Sequence, residues 1–188
     1  MSTPQRLIAT SSQTVGPFFH FGLATNDTLG VIAGPDVPGE RIHLRVTVFD
    51  GAGTPVPDAL IELYQTDGSG EYPPPGGDKQ GFHGFGRLPT LADGSCVFDT
   101  IRPGAVRFGS TAQAAHVNVC LLSRGLLRQI YTRMYFPGDP GLATDAVLAL
   151  VPPERRETLL ARPVLGQPGA WEFVIRLQGQ DETVFFDL

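Results

Sequence analysis

His116 and Asn118 are the residues whose types and spacing come nearest to metal chemistry. They stand at positions i and i+2 of a largely apolar run that ends at Cys120, so both side chains point to one face of a strand. Two histidines at this spacing could bind one ion, because both imidazoles would project from the same pleat. Asparagine is a poor ligand for a transition metal. The pair therefore predicts the outline of a metal site from which most ligands are missing.

Other ligand types do not complete such a site in the sequence. No two of the histidines lie at ligand spacing; they are His20, His43, His83 and His116. Tyrosine can ligate ferric iron, but tyrosines in strands are more often core or rim residues; here they are Tyr64, Tyr72, Tyr131 and Tyr135. A G-x-S-x-G nucleophile elbow and a phosphate-binding loop are both missing from the sequence. These observations argue against a self-contained metal or nucleophilic centre.

Arg133 is the candidate for binding a charged ligand. Strand alternation places it on the same face as Tyr131 and Tyr135. A guanidinium between aromatic rings suits a planar carboxylate, which it can bind through two parallel hydrogen bonds. The pattern alone fits an ordinary surface arginine at least as well, so both interpretations remain open at this point.

Short runs with strand periodicity recur along the chain and are separated by Gly- and Pro-containing turn signals. The predicted strands cover residues 41–48, 60–65, 95–101, 116–123, 129–136, 171–177 and 183–188. Residues 72–85 are predicted to form a loop, and a proline followed by acidic residues predicts a short helix over 153–161. The pattern predicts an all-β protein, a β-sandwich with at most short helices.

The sequence divides into an N-terminal arm, residues 1–40, and a sandwich domain, residues 41–188. The arm has few charges and no sustained periodicity, yet it contains Phe18, Phe19 and Phe21. Leaving three aromatic rings in water is costly. We therefore expect an extended arm that packs on another surface rather than a disordered tail.

Charge and composition exclude several classes of function. The net charge is −5 and there is no basic run, which argues against nucleic-acid binding. No apolar run has the length of a membrane span and no signal peptide is apparent, so we expect a cytoplasmic protein without a membrane partner. The two cysteines, Cys96 and Cys120, lie in strand-like runs and are predicted to be buried free thiols.

Several segments together resemble one family, the intradiol ring-cleaving dioxygenases, and within it the alpha subunits of the two-subunit enzymes. The segments that carry the resemblance are Ser12–Phe18, Leu60–Gln65, Gly70–Tyr72, Phe85–Arg87, Thr100–Gly104, Ala115–Val119, Pro153–Leu159 and Glu182–Asp187. The resemblance covers nearly the whole chain. It implies the β-sandwich of that family and a cleavage reaction on a catechol with O2.

The resemblance also implies that this chain lacks the family's iron site. Catalytic members hold ferric iron with two tyrosinates and two histidines. His116 matches the first histidine, while Asn118 replaces the second and Val106 stands at one tyrosine position. The other tyrosine is expected between Tyr72 and Phe85, a stretch that contains none. Catalytic residues and metal ligands are therefore expected to be absent here, with Fe(III) bound by a homologous beta subunit.

The same resemblance implies a role in substrate binding. Thr14, Gly16 and Pro17 match arm positions that line a pocket shared with the beta subunit, and Arg133 matches an arginine near a substrate carboxylate. A cation there favours a catechol that bears an acid group. Phe18 stands where a tyrosine is common, so the hydroxyl contact of that position is missing.

Two alternative interpretations belong to other classes of protein. A transthyretin-like or carbohydrate-binding β-sandwich module would also fit the turn and strand pattern of residues 50–63 and 93–104. Such a module has no reason to carry the aromatic arm or the C-terminal segment. A self-sufficient single-chain intradiol enzyme is disfavoured because the ligands are missing.

Overall fold

The computed structural model describes residues 8–74, 81–108 and 111–187. Its strands form two four-stranded sheets and a small hairpin. The first sheet has the order β4-β1-β10-β9 and the second has the order β3-β2-β7-β8, while β5 and β6 form the hairpin. The strand bounds are β1 Arg41–Phe49, β2 Leu60–Gln65, β3 Phe85–Pro89, β4 Ser95–Ile101, β5 Val106–Phe108, β6 Thr111–Gln113, β7 His116–Leu122, β8 Ile130–Tyr135, β9 Arg162–Pro163 and β10 Ala170–Arg176.

Helices are short in the described ranges. The one α-helix, α1, covers Phe19–Leu23, and the 3₁₀ helices cover Asp27–Gly30, Pro140–Thr144, Leu148–Leu150 and Pro153–Leu159. The helix predicted over 153–161 is therefore present, but as a 3₁₀ helix. None of the helices in the described part of the chain has the length and apolarity needed to span a bilayer.

The core lies between the two sheets and confirms the predicted β-sandwich. In β1 the apolar residues are buried and alternate with exposed or half-buried polar ones, as a period of two requires. Leu44 and Val46 of the first sheet and Leu63 and Val119 of the second have at most 2% exposure and belong to one cluster. β1 pairs in parallel with β10 and antiparallel with β4, which makes it an inner strand of its sheet.

The N-terminal arm contributes to this same core before residue 41. Ile32, Ala33 and Val37 are buried in the main cluster. Val31 and Ala33 each form an isolated β-bridge, to Asp99 and Phe82 respectively. Residues 31–37 therefore pack on the chain's own sandwich, whereas Phe18 and Phe21 remain mostly exposed. The predicted division at residue 40 and packing of the arm on a partner stay predictions.

Two predicted elements differ from the structure. The strand predicted over 183–188 is not formed in its described part, which makes only an isolated bridge between Phe186 and Tyr131. Thr183 donates its amide to the Arg176 carbonyl and Phe186 donates to the Tyr131 carbonyl, so this segment crosses from one sheet to the other and follows neither. Residue 188 lies outside the described residues.

β3 lies at the end of the predicted loop and was not recognised as a strand. It contains Gly86, where a Cβ would lie 2.6 Å from Ile32 Cγ1. A glycine in a strand often marks such a close approach. The strand is short and contains a glycine, so the sequence pattern does not indicate it. The contact with Ile32, which is distant along the chain, explains why the residue is glycine. Within the preceding loop, residues 75–80 lie outside the described residues.

Both cysteines are free, as predicted. Burial raises the pKa of the Cys96 thiol to about 12. Burial, with the Glu62 carboxylate second, raises the pKa of the Cys120 thiol to about 12 as well. Cys96 is 3% exposed, whereas Cys120 is only half-buried. Both thiols are protonated at neutral pH, and neither is a nucleophile there.

Candidate functional site

The outer face of the second sheet gathers the residues to which the sequence assigned chemistry. His116 pairs with Tyr135 and Asn118 with Arg133 across β7 and β8, so these four side chains share the face opposite the core. Tyr64 of β2 pairs with Asn118 from the other side. We call this set the polar face of the sheet.

His116 is held as a neutral imidazole with one free nitrogen. It is 1% exposed, and its Nδ1 lies 2.7 Å from the Ala114 carbonyl oxygen. A carbonyl can only accept, so Nδ1 carries the proton and Nε2 carries a lone pair. Nε2 is buried and has no hydrogen-bond partner. Burial lowers the pKa of His116 below its usual value, which keeps the ring neutral at pH 7.

Tyr72 is the tyrosine that reaches Asn118, and the sequence interpretation missed it by searching only beyond it. Asn118 Nδ2 donates to the Tyr72 hydroxyl at 3.1 Å, and the Tyr72 ring stacks on Tyr64 at 4.8 Å between centroids. Burial raises the pKa of Tyr72, with the Asn118 hydrogen bond acting in the opposite direction. Tyr72 is therefore a neutral phenol. The sequence does point to this tyrosine, because Gly70–Tyr72, one of the segments that carry the family resemblance, ends on it.

The donors on the polar face do not fit a ferric centre. One imidazole offers a lone pair, the neighbouring phenol keeps its proton, and an amide stands at the second strand position. Val106, at one expected tyrosine position, is buried and offers no donor atom. Across the described ranges, no group of three or more His, Cys, Asp or Glu side chains could hold a metal ion. Ferric iron requires several anionic or imidazole donors, which this set does not supply.

Arg133 is the cation of the polar face. Its Nη1 donates to Gln113 Oε1 at 3.0 Å, and its guanidinium is within hydrogen-bonding reach of the Tyr135 hydroxyl. Burial raises the pKa of Tyr135 to about 12 against the lowering effect of this guanidinium. Arg133 is half-buried and has no carboxylate partner within ion-pair distance among the described residues. The geometry leaves a positioned cation available to an anionic group.

Asp145 accepts hydrogen bonds from several groups that surround His116 and Tyr135. It is 1% exposed, and one of its oxygens, Oδ2, accepts from the Ala114 amide at 2.8 Å. Oδ1 accepts from the Val147 and Leu148 amides at 2.9 and 2.7 Å and from the Tyr135 hydroxyl at 3.2 Å. One carboxylate thus satisfies four buried or half-buried donors around His116 and Tyr135.

Replacement of Asp145 by asparagine is expected to lower the stability of the protein by about 1–3 kcal/mol, because the amide cannot accept at both ends and leaves buried donors unpaired. A fall of several degrees in the thermal midpoint would be the observable. Asp187→Asn, at a position whose side chain is 84% exposed, is the control and is expected to shift the midpoint by at most about 1 °C. Equal shifts for the two variants would contradict the role given to Asp145.

The predicted arm residues lie apart from the polar face. Thr14 Oγ1 accepts from the Gly125 amide at 2.8 Å, at the tip of the hairpin between β7 and β8. Arg133 pairs with Asn118, four residues before β7 ends at Leu122, and Gly125 lies in the turn beyond that end. A Cβ on Gly16 would have no neighbour within 4 Å. Gly16 and Pro17 are therefore on an open stretch of the arm.

A family model described as Dioxygenase matches residues 14–179 of the chain. The protocatechuate 3,4-dioxygenase alpha chain of Burkholderia cepacia is 41% identical over 95% of this chain and 97% of its own length. The corresponding alpha chain of Pseudomonas putida is 39% identical over 95% and 96%. The chain belongs to the intradiol dioxygenase family.

Further members of this family support the assignment at greater distance. The protocatechuate 3,4-dioxygenase beta chain of Burkholderia cepacia is 32% identical over 92% of this chain and 77% of its own length. Among solved structures, the dioxygenase domain of a Streptomyces carbohydrate-binding fusion aligns with a TM-score of 0.63 and 28% identity. That alignment covers 82% of this chain and 88% of the domain. Catechol 1,2-dioxygenase from Acinetobacter shares the fold, with a TM-score of 0.63 at 21% identity over 78% of this chain and 55% of its own length.

The family assignment has two consequences for the earlier interpretations. Intradiol dioxygenases are iron-dependent enzymes, so the chain is a subunit or relative of an iron enzyme although its own donors do not fit ferric iron. The transthyretin-like or carbohydrate-binding module is not favoured, because the relatives match over nearly the full chain.

Proposed function

We propose that this chain is the alpha subunit of a protocatechuate 3,4-dioxygenase and works only together with a homologous beta subunit. Its similarity to two alpha chains over 95% of its length carries the proposal. The donor set supports it, because His116, Asn118 and the neutral Tyr72 hydroxyl cannot make the family's iron site. A chain that keeps the fold and loses the ligands suits a subunit that assists a catalytic partner.

The assembly would insert both atoms of O2 into protocatechuate and open the ring between the two hydroxyl-bearing carbons. The product of that cleavage is 3-carboxy-cis,cis-muconate. Fe(III), which we place in the beta subunit, supplies the activation of the catechol ring toward O2 when it is bound. The contribution of the present chain is to bind and orient the substrate and to exclude water from one side of the pocket.

Arg133 would bind the carboxylate of protocatechuate. The guanidinium is oriented by Gln113 and lies beside the Tyr135 hydroxyl, so little side-chain freedom is lost when an anion binds. A half-buried cation discriminates strongly in favour of a substrate with a carboxylate over catechol, which has none. Thr14, Gly16 and Pro17 would line the pocket from the arm.

The arm would pack on the beta subunit. Phe18 and Phe21 are 71% and 65% exposed and stack on each other with ring centroids 5.8 Å apart. Two exposed aromatic rings side by side form an apolar patch of the kind found at protein interfaces. Covering the patch would place Gly16 and Pro17 against the partner's surface, where a pocket shared between the chains would lie.

Oxygen uptake with protocatechuate tests the proposal directly. The chain is purified through a tag from its native host and, separately, after expression alone, and both preparations are assayed for iron and for companion chains. We expect uptake only from the native preparation, with a homologous second chain and iron present. Uptake by the lone chain would refute the subunit assignment, and a native preparation without uptake would refute the substrate assignment.

A further inference from the structure

Asp58 has a left-handed backbone conformation, which is uncommon outside glycine. Its φ is 63°, and it is the one non-glycine residue with positive φ in the ranges that the structure describes. Aspartate tolerates this conformation better than most L-residues, so the turn accepts a side chain with a carboxylate here. Asp58 stands two residues before β2 begins at Leu60, on a surface turn where glycine would be free of strain.

The turn that carries Asp58 is clamped by one threonine. The Thr90 hydroxyl donates to the Val56 carbonyl at 2.8 Å and accepts from the Ala59 amide at 3.0 Å. The Thr90 amide donates to the Ala59 carbonyl at 2.7 Å, and the Asp58 amide donates to the Thr90 carbonyl at 3.3 Å. These bonds hold the turn from both sides and fix the path of the backbone at Asp58.

The Asp58 carboxylate lies between the arm and the turn that joins β7 to β8. Its Oδ1 is 3.9 Å from His20 Nε2, and its Oδ2 is 3.7 Å from Arg124 Nη2. His20 belongs to α1 and is 8% exposed. Arg124 precedes Gly125, the residue whose amide donates to Thr14. One carboxylate therefore faces one group from the arm and one from the turn that joins β7 to β8. The arm is also held at the end of α1, where Arg87 Nη1 donates to the Leu23 carbonyl at 3.2 Å.

The segment between these two contacts contains the predicted substrate-binding residues. Thr14 is hydrogen-bonded to the Gly125 amide, and His20, six residues later, lies 3.9 Å from the Asp58 carboxylate; Gly16 and Pro17 lie between them. With both ends attached, the segment has a defined path across the surface. With one end released, Gly16 and its open surroundings offer little else to hold it.

We propose that Asp58 is a positioning residue that anchors the arm to the turn between β7 and β8 through His20 and Arg124. It thereby orients Thr14, Gly16 and Pro17 toward the substrate. The inference rests on the proposed function for its effect on the substrate. The anchoring itself concerns this chain alone. Asp58 does not touch the reacting atoms, so its substitution alters binding more than turnover.

Hydrogen exchange on the assembled protein tests the anchoring. Asp58→Asn removes the charge but keeps a residue type that tolerates positive φ. We expect the amides of residues 14–20 to exchange about two- to fivefold faster in this variant, as the loss of partly exposed ion pairs allows, while those of β2 keep their wild-type rates. Asp58→Gly relieves the backbone and also lacks the carboxylate, and we expect the same faster exchange. Wild-type exchange of the arm in both variants would overturn the proposal.

Steady-state kinetics test the consequence for the substrate. Asp58→Asn is expected to raise KM for protocatechuate roughly two- to fivefold with kcat and iron content within twofold of wild type. Asp36→Asn, at an exposed aspartate of the same N-terminal region, is the matched control and is expected to leave KM and arm exchange unchanged. A loss of kcat together with iron would mean that Asp58 acts on the fold, which overturns the positioning role.

A double variant tests whether Arg124 acts through Asp58. If one network holds the arm, Asp58→Asn combined with Arg124→Gln raises the exchange rate no further than Asp58→Asn alone. If the two substitutions instead multiply each other's effects on the exchange rate, Asp58 and Arg124 do not act in one network. If the wild-type assembly fails to cleave protocatechuate, the proposed function is wrong, and the exchange rates alone still decide whether Asp58 anchors the arm.

Discussion

Replacement of Arg133 by alanine is expected to raise KM for protocatechuate about 10- to 100-fold, with the iron content of the assembly unchanged. A charge-assisted hydrogen bond to a carboxylate contributes about 1.5–3 kcal/mol, which corresponds to this range. The guanidinium is oriented by Gln113 at 3.0 Å and does not contribute to the buried apolar core. We therefore expect its removal to weaken substrate binding without unfolding the sheet.

Controls on the same hairpin separate a local effect from a general loss of positive charge. Arg128 is 75% exposed and forms an ion pair with Asp187 at 3.2 Å, so Arg128→Ala is expected to change KM by less than about twofold. Arg133→Lys keeps the charge but loses the planar fork, and an intermediate KM is expected. An unchanged KM in Arg133→Ala would show that the carboxylate binds elsewhere.

Catechol provides a second control because it has no carboxylate. If Arg133 binds that group, Arg133→Ala lowers kcat/KM for protocatechuate and leaves kcat/KM for catechol almost unaltered, so that the ratio of the two values falls. Equal losses for both substrates would indicate a distorted pocket, and the assignment of Arg133 to the carboxylate would be wrong.

Replacement of Phe98 by alanine is expected to cost about 3–5 kcal/mol of stability, more than the loss expected for Asp145→Asn. Phe98 is fully buried in the main core and pairs with Leu44 across β4 and β1. Truncating its ring leaves a cavity between the two sheets that the surrounding strands cannot close. The thermal midpoint of the assembled protein should fall by about 10 °C.

The neighbouring residue provides a matched control for Phe98. Val97 is on the same strand, points to the opposite face and is 44% exposed. Val97→Ala is expected to lower the midpoint by no more than about 2 °C, because little apolar surface is uncovered. Similar midpoint shifts for the two variants would mean that the face of β4 that carries Phe98 is no more important for the core than the face that carries Val97.

The fold class and the buried faces of the main strands could be predicted from the sequence. In β1, apolar and polar residues alternate from Arg41 onward, and the structure buries every residue that this alternation assigns to the core. The prediction succeeds because a period of two is a local property of the chain. The same local rule placed His116 and Asn118 on one face, where the structure has them.

Elements that depend on distant contacts could not be predicted in this way. β3 exists because Gly86 lets Ile32 approach within a distance that a Cβ would prevent, and a five-residue strand whose second residue is glycine has no local signature. The C-terminal segment is apolar like a strand, yet it crosses between Arg176 and Tyr131 and bridges the two sheets. Local pattern cannot distinguish a strand from a crossing of this kind.

The sequence by itself determined that the chain is a β-sandwich, that His116 lacks a second imidazole beside it, and that a cation lies among aromatic residues at Arg133. Only the tertiary structure decided which groups face one another. It brought Tyr72 to Asn118, attached Thr14 to Gly125 and set Asp58 between His20 and Arg124. Residue type and period are local, whereas a site is a set of contacts between strands far apart in the chain, and those contacts exist only after the sheets have packed.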